Sequence, residues 1–249
     1  MKHIPLLTLV LSLALGSTAP AQFGGPGAGP AGPNLSGAMT KFFGEHKSFS
    51  ADVEVQTTPP RATEPMPLSG KLAVDGKKSR FEMDLANASG GGLPPGAAEQ
   101  MKMMGMDKTI IIGDEEKKVN YLVYPGLTAY AEMSIKTASS SDEDLKVEVK
   151  ELGKEKLDGQ ECVKNKMTVT EKNGKTHEAT VWNAVALKNF PLKLETTQNG
   201  APLVMSFKNV KLERPAAAQF EPPKDFKKYE NVMALMQEEM MKRLGGPGN

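Results

Sequence analysis

Apolar and polar residues alternate with a period of two over most of the chain's middle. Val53 and Val55 alternate with Asp52 and Glu54, and Leu72 and Val74 with Lys71 and Ala73. Phe81, Met83 and Leu85 alternate with Glu82 and Asp84, and Leu145, Val147 and Val149 with Lys146, Glu148 and Lys150. Successive side chains of a strand point to opposite faces, so this pattern predicts strands with one buried and one wetted face, as in antiparallel sheets. Asp75-Gly76, Asp158-Gly159, Asn173-Gly174 and Asn199-Gly200 punctuate it. Asn or Asp followed by Gly tolerates the positive φ that tight hairpin turns require. The expected strands are 49–57, 67–74, 78–85, 107–112, 118–124, 127–133, 145–157, 161–171, 176–184, 190–197 and 202–212. Joined as consecutive hairpins, these roughly eleven strands form a single strongly curved antiparallel sheet, an incomplete β-barrel. Leu203, Met205 and Phe207 share one phase and Val210 and Leu212 the other, which predicts a bulge near Lys208.

Three segments change to helical spacing. From Ser36 to about Lys47, Met39, Phe42 and Phe43 fall on one face at i, i+3 and i+4, predicting an N-terminal helix. AAEQMKMMGM at 97–106 predicts a short helix that starts after Pro95 and frays at Gly105. Residues 225–244 predict a C-terminal helix capped by Asp225 and stopped by Gly245-Gly246-Pro247, with Met233, Met236, Met240 and Leu244 on one face.

The ends of the chain read differently. Lys2, the apolar run Ile4 to Leu15 and Ala19-Pro20-Ala21 predict a signal peptide over 1–21, cleaved near Ala21-Gln22. The run is too short for a stable membrane anchor. Residues 22–35 are a Gly/Pro-rich leader expected to be flexible, 36–244 one folded domain, and 245–249 a flexible tail. The expected product is soluble and periplasmic or secreted. Cys162 is the single cysteine, which excludes an internal disulfide, and the expectation is a small buried side chain.

Charge and motif content narrow the chemistry. The formal charge is +1, lysines and glutamates are interspersed, and aromatics make up 6%. A nucleic-acid partner calls for a basic face, so none is expected. His46 and His177 are isolated, and H-E-x-x-H, CxxC, G-x-S-x-G and P-loop spacings are missing. Ser139 to Asp144 lacks the spacing of a Ca²⁺ loop. The expectation is therefore a non-enzyme with no catalytic residues, no metal and no cofactor.

The methionines carry the most information. Met101, Met103, Met104 and Met106 crowd one expected helix, and Met233, Met236, Met240 and Met241 the other. Flexible thioethers can fill irregular gaps between helix and sheet, or present an adaptable surface to a lipid or a partner peptide. A third reading is Cu(I) binding, because thioethers favour soft metals.

In layout the chain resembles the periplasmic lipoprotein-carrier family with the LolA/LolB-like fold, and most nearly a poorly characterised exported branch of it. The resemblance rests on SGKLAVDGKKSRFEMD at 69–84, with Gly70, Arg80 and Phe81, and on TIIIGDEEKKVNYLVYPG at 109–126, with Asp114 and Tyr121. Its second half is carried by LGKEKLDGQECVKNKMTV at 152–169, TVWNA at 180–184, NFPLKL at 189–194 and FEPPKDFKKYENVM at 220–233. The resemblance implies a half-barrel whose apolar face holds acyl chains under a helical lid. With such a lid, the clustered methionines Met101, Met103, Met104, Met106, Met233, Met236 and Met240, together with Arg80, become the candidate ligand-binding residues. Arg80 either bonds lid carbonyls or is an outward charge alternating against Phe81. Trp182 is expected to pack rather than touch ligand. The implied partner is an apolar lipid or lipoprotein acyl chain, or another envelope protein in an interaction or stress-sensor role.

Overall fold

The computed structural model describes residues 38–58, 65–85, 96–134, 145–198 and 200–245. The expected signal peptide, the expected leader, residues 139–144 and the residues beyond Gly245 lie outside the described residues. The strands are β1 (Ser48–Thr57), β2 (Met66–Asp75), β3 (Lys78–Asp84), β4 (Lys108–Asp114), β5 (Val119–Tyr124), β6 (Ala129–Ser134), β7 (Lys146–Leu157), β8 (Gln160–Thr170), β9 (Thr176–Ala184), β10 (Phe190–Gln198), β11 (Ala201–Lys211) and β12 (Lys227–Tyr229). The helices are α1 (Ala38–Lys41), α2 (Ala97–Met103) and α3 (Val232–Leu244).

All twelve strands form one open sheet, in the order β12-β6-β5-β4-β3-β2-β1-β11-β10-β9-β8-β7. Two hairpin meanders, β1–β6 and β7–β11, meet where β1 pairs antiparallel with β11. Alternation decides the faces. Phe49, Ala51, Val53 and Val55 are buried, and Val53 stands opposite Phe207 and Val55 opposite Met205. The expected bulge is present: Asp52 pairs with Lys208 but Ser50 with Lys211, and Asn209 takes a positive φ of 50°. Asp158 and Gly159, at φ 47° and 79°, make the two-residue turn between β7 and β8. At the β2–β3 turn the central residues are instead Gly76 and Lys77.

Three expectations change at the chain's helices and at the sheet edge. The N-terminal helix is a single turn, because Gly44 turns the chain at φ 62° and Phe42 and Phe43 leave the helix to pack. The C-terminal helix starts at Val232, where the Asn231 side chain accepts a hydrogen bond from the Ala234 N–H at 2.8 Å. Asp225 does not cap it. Residues 227–229 form a twelfth strand, parallel to β6, with the Lys227 N–H bonded to the Thr128 carbonyl.

The three helices share one face of the sheet, where the main core lies. Over β1 and β9–β11 this face is filled by rings: Phe43 packs on Phe49 at 5.0 Å and Phe207 at 5.5 Å, and Phe190 on Phe49 at 4.9 Å. The opposite face is crossed by residues 212–226, which carry the chain from β11 to β12. Phe220 anchors that crossing against Ala73, Ile112 and Val123, and Arg214 holds Asp75 at 2.9 Å. A hydrogen bond from Ser48, with help from Arg214, keeps the Asp75 carboxyl below the usual carboxylate range.

Candidate functional site

The Met-bearing helices α2 and α3 sit over the β4–β6 end of the sheet. Leu122 and Tyr124 on β5 and Ala129 and Ala131 on β6 supply the floor. Val232, Leu235 and Met236 turn α3 toward it at i, i+3 and i+4, and Leu235 is fully buried. The methionine stripe read from the sequence is thus rotated away from the sheet. Met236 keeps contact, but Met233 and Met240 are 55% and 62% exposed. Met241 is exposed as well.

The end of α2 is fixed by its main chain. The Met106 N–H bonds to the Met101 carbonyl and the Gly105 N–H to that of Lys102, with Gly105 at φ 69°, a Schellman stop. Gly105 rests directly on Gly126 in the β5–β6 turn. Met101 packs on the large core and Met106 on the α3 cluster, Met104 is half-buried, and Met103 is 74% exposed. The Arg243 guanidinium on α3 donates to the Met103 carbonyl at 3.0 Å, so the two helices are tied side by side.

A second tie joins α3 to β12. The Lys227 ammonium donates to both Glu238 carboxylate oxygens at 2.6 and 2.7 Å, and Lys242 adds a contact at 3.1 Å. Lys227 first and Lys242 second pull the Glu238 carboxyl down to about 2. The Lys227 ammonium also lies 4.9 Å from the centre of the Tyr229 ring, whose hydroxyl makes no hydrogen bond.

Beneath the helices three hydroxyls have no partner, those of Tyr124, Thr109 and Tyr229. Tyr124 is 1% exposed, and its oxygen makes no hydrogen bond. Burial alone pushes this phenol up to about 12. Thr109 on β4 is fully buried, and its Oγ1 is likewise unpartnered. Tyr124 and Thr109 both belong to the helix-bearing face. Ile111 pairs with Leu122 and Ile110 with Val123, so the register carries Thr109 toward Tyr124.

Arg80 stands elsewhere. Alternation on β3 puts it on the opposite face, where its Nε donates to Glu82 at 2.7 Å and its Nη1 to the Gln219 carbonyl at 3.0 Å. It holds down the crossing segment and does not join the methionines. It lines a groove of about 1060 Å³ between sheet and crossing, together with Lys71, Glu82, Asn209 and Lys224. Trp182 also lies on that face, between the Lys164 and Lys193 ammoniums at 4.7 Å each, and its indole donates to Glu155 at 2.8 Å. Cys162 is buried beside it, and burial pushes its thiol up. His46 bonds the Lys188 carbonyl and His177 pairs with Glu171. Among the described residues no group of three or more His, Cys, Asp or Glu side chains is placed to hold a metal, and no helix is long and apolar enough to cross a membrane.

No family model and no curated protein matches the chain. Solved structures do resemble it. The lipoprotein LppX of Mycobacterium tuberculosis aligns at 11% identity over 65% of this chain and 85% of its own, with a TM-score of 0.37. A LolA superfamily protein from Nitrosomonas europaea aligns at 12% identity over 73% and 93%, with a TM-score of 0.34. LprF from Mycobacterium bovis aligns at 11% identity over 75% and 92%, with a TM-score of 0.38. The chain is thus similar to LolA-like solved structures, and a likeness of this size carries no ligand or partner across.

Tyr124, Thr109 and Leu235 escape a reading of the sequence. Tyr124 is in phase with Leu122 and Thr109 with Ile111, so alternation places both on the apolar face. That their hydroxyls end without partners depends on packing from α2 and α3, which no local pattern contains.

Proposed function

We propose that the protein is an exported, non-enzymatic binder of an apolar chain, from a lipid or a lipidated partner, taken up between α2, α3 and the β4–β6 sheet. The observation that carries this reading is the division of the methionines. Met101, Met106 and Met236 pack inward while Met103, Met233 and Met240 face solvent on the same two helices. Exposed, flexible thioethers on these helices can add contacts with a guest to those that the inward methionines make with the sheet. Each buried methylene contributes about 0.8 kcal/mol, so a chain of ~16 carbons gains on the order of 12 kcal/mol before ordering costs. The aromatic filling over β1 and β9–β11 leaves the α2–α3 end as the place for such a guest.

The test is native mass spectrometry of the protein mixed with 1-palmitoylglycerol. A one-to-one adduct is expected, weakened in the triple variant Met103→Ser, Met233→Ser, Met240→Ser. A clean unliganded mass at saturating lipid rejects the reading.

One observation favours a second reading, an envelope protein-interaction module. Among the described residues β7 is an outer strand of the sheet with β8 as its neighbour, and its Val147, Val149 and Leu152 are 39%, 59% and 50% exposed. An outer strand offers main-chain hydrogen bonds to an extended segment of another protein. The bulge between Glu151 and Gly153 divides the edge into regular stretches at 146–151 and 153–157. A stoichiometric polypeptide that co-purifies with the wild type, carries no lipid and is lost in Val149→Lys supports this reading; its retention by the variant removes it.

A further inference from the structure

We propose that the Tyr124 and Thr109 hydroxyls recognise a carbonyl, so that the ligand is an acyl ester rather than a plain hydrocarbon. This rests on the reading that an apolar chain enters beneath α2 and α3.

Buried hydroxyls find partners in nearly all folded proteins, because an unpaired one loses its bonds to water without replacement. Here two such groups are buried on the same sheet face, on paired neighbouring strands, and neither has an acceptor. Each is a donor, since a neutral phenol or threonine hydroxyl can turn its hydrogen toward an incoming lone pair. The phenol stays protonated, as burial holds it far above neutral pH. The Tyr124 side chain packs in a cluster with Leu122, Ala129, Tyr229, Leu235 and the Met106 and Met236 thioethers, and the Lys227 ammonium, 4.9 Å from the centre of the Tyr229 ring, is already held by both Glu238 oxygens. A carboxylate buried there would have to draw Lys227 away from Glu238, whereas a neutral carbonyl offers two lone pairs at no ionic cost. The donor set therefore suits an ester and disfavours a free fatty acid.

The space opens by displacement. Among the contacts holding α3 are Leu235 and Met236 against the floor, the Lys227–Glu238 pair and the Arg243–Met103 bond. A chain that replaces Leu235 and Met236 lies over Tyr124, with Thr109 on the neighbouring strand and the same face.

The experiment compares 1-palmitoylglycerol with 1-O-hexadecylglycerol by calorimetric titration of the full-length mature protein. Chain and headgroup are the same and only the carbonyl differs. The ester is expected to bind roughly tenfold tighter, the worth of one or two net hydrogen bonds. Tyr124→Phe and Thr109→Val keep shape and remove each donor. Each should erase most of that preference, read as the ratio of ester to ether affinity within the variant. Equal affinity of ester and ether for the wild type overturns the inference but leaves the apolar-chain reading standing. A preference that survives in both variants also overturns it. If neither compound binds, the underlying reading fails, and this inference falls with it.

Discussion

Gly105 and Gly126 meet main chain to main chain. A Cβ on Gly126 would stand 2.5 Å from the Gly105 carbonyl oxygen, and one on Gly105 2.9 Å from that of Gly126. The obstructing atoms are backbone on both sides, so a side chain cannot be accommodated by a rotamer change. The contact seats the end of α2 on the β5–β6 turn and sets where Met103 and Met106 lie. Gly126→Ala should cost about 1–3 kcal/mol in urea unfolding, with an unchanged slope. A loss under half a kcal/mol would mean that α2 is not docked this closely.

Leu235 and the exposed methionines of α3 should respond in opposite ways. Leu235→Ala empties a fully buried position and should destabilise the fold by about 2–4 kcal/mol. Met233→Ser and Met240→Ser lie in solvent and should shift stability by no more than about 0.5 kcal/mol. Thermal melts of the three variants check this. Similar losses at all three would place the helix in a different rotation.

Tyr124 predicts a specific alkaline weakness. Its folded phenol ionises near 12 rather than near the ordinary 10, so between these values the folded state holds a proton that the unfolded chain releases. Stability from this group is complete below about pH 10 and falls as pH rises toward 12, by up to about 3 kcal/mol. Tyr124→Phe removes that decline and, by deleting an unpaired buried hydroxyl, leaves stability near pH 7 equal or higher. Denaturation curves at pH 8 and pH 11 for both proteins make the comparison.

Val149 should govern heat aggregation. It stands 59% exposed on an outer strand, next to Val147 on the same face. Lysine at an edge disfavours strand-to-strand pairing between molecules. Val149→Lys is expected to slow light-scattering growth on heating several-fold while moving the folding free energy by about 0.5 kcal/mol or less. Unchanged scattering would locate the aggregating segment elsewhere.

Where the sequence is legible, it is because a residue's neighbours along the chain set its environment. The meanders follow from alternation such as Val53–Val55 and Phe81–Met83, and from turns such as Asp158-Gly159, and their strands agree with the expectation to within two residues at each end. β12 is not legible. Three residues, Lys227 to Tyr229, cannot display a period, and they become a strand through the free edge of β6, far away in sequence. The rotation of α3 is hidden for a similar reason. Met233, Met236 and Met240 form a regular apolar stripe, but Leu235 offers a competing one, and the ties from Asn231, Lys227 and Arg243 go with the latter. Arg80 is ambiguous for a third reason: alternation gives it a face, and only the crossing segment shows what that face meets.

The seam between the two meanders sets the order in which this molecule can assemble. Every other antiparallel pairing joins strands that follow one another along the chain and can form early, whereas Val53 and Phe207 must find each other across about 150 positions, a slow event by its loop-closure cost alone. Until they meet, Val53, Val55, Met205 and Phe207 line two raw borders. A newly made chain is therefore expected to pass through an interval in which each half has formed and the seam strands are still unpaired. Escort factors, low temperature or dilution should raise the yield by protecting that interval rather than by strengthening the finished fold.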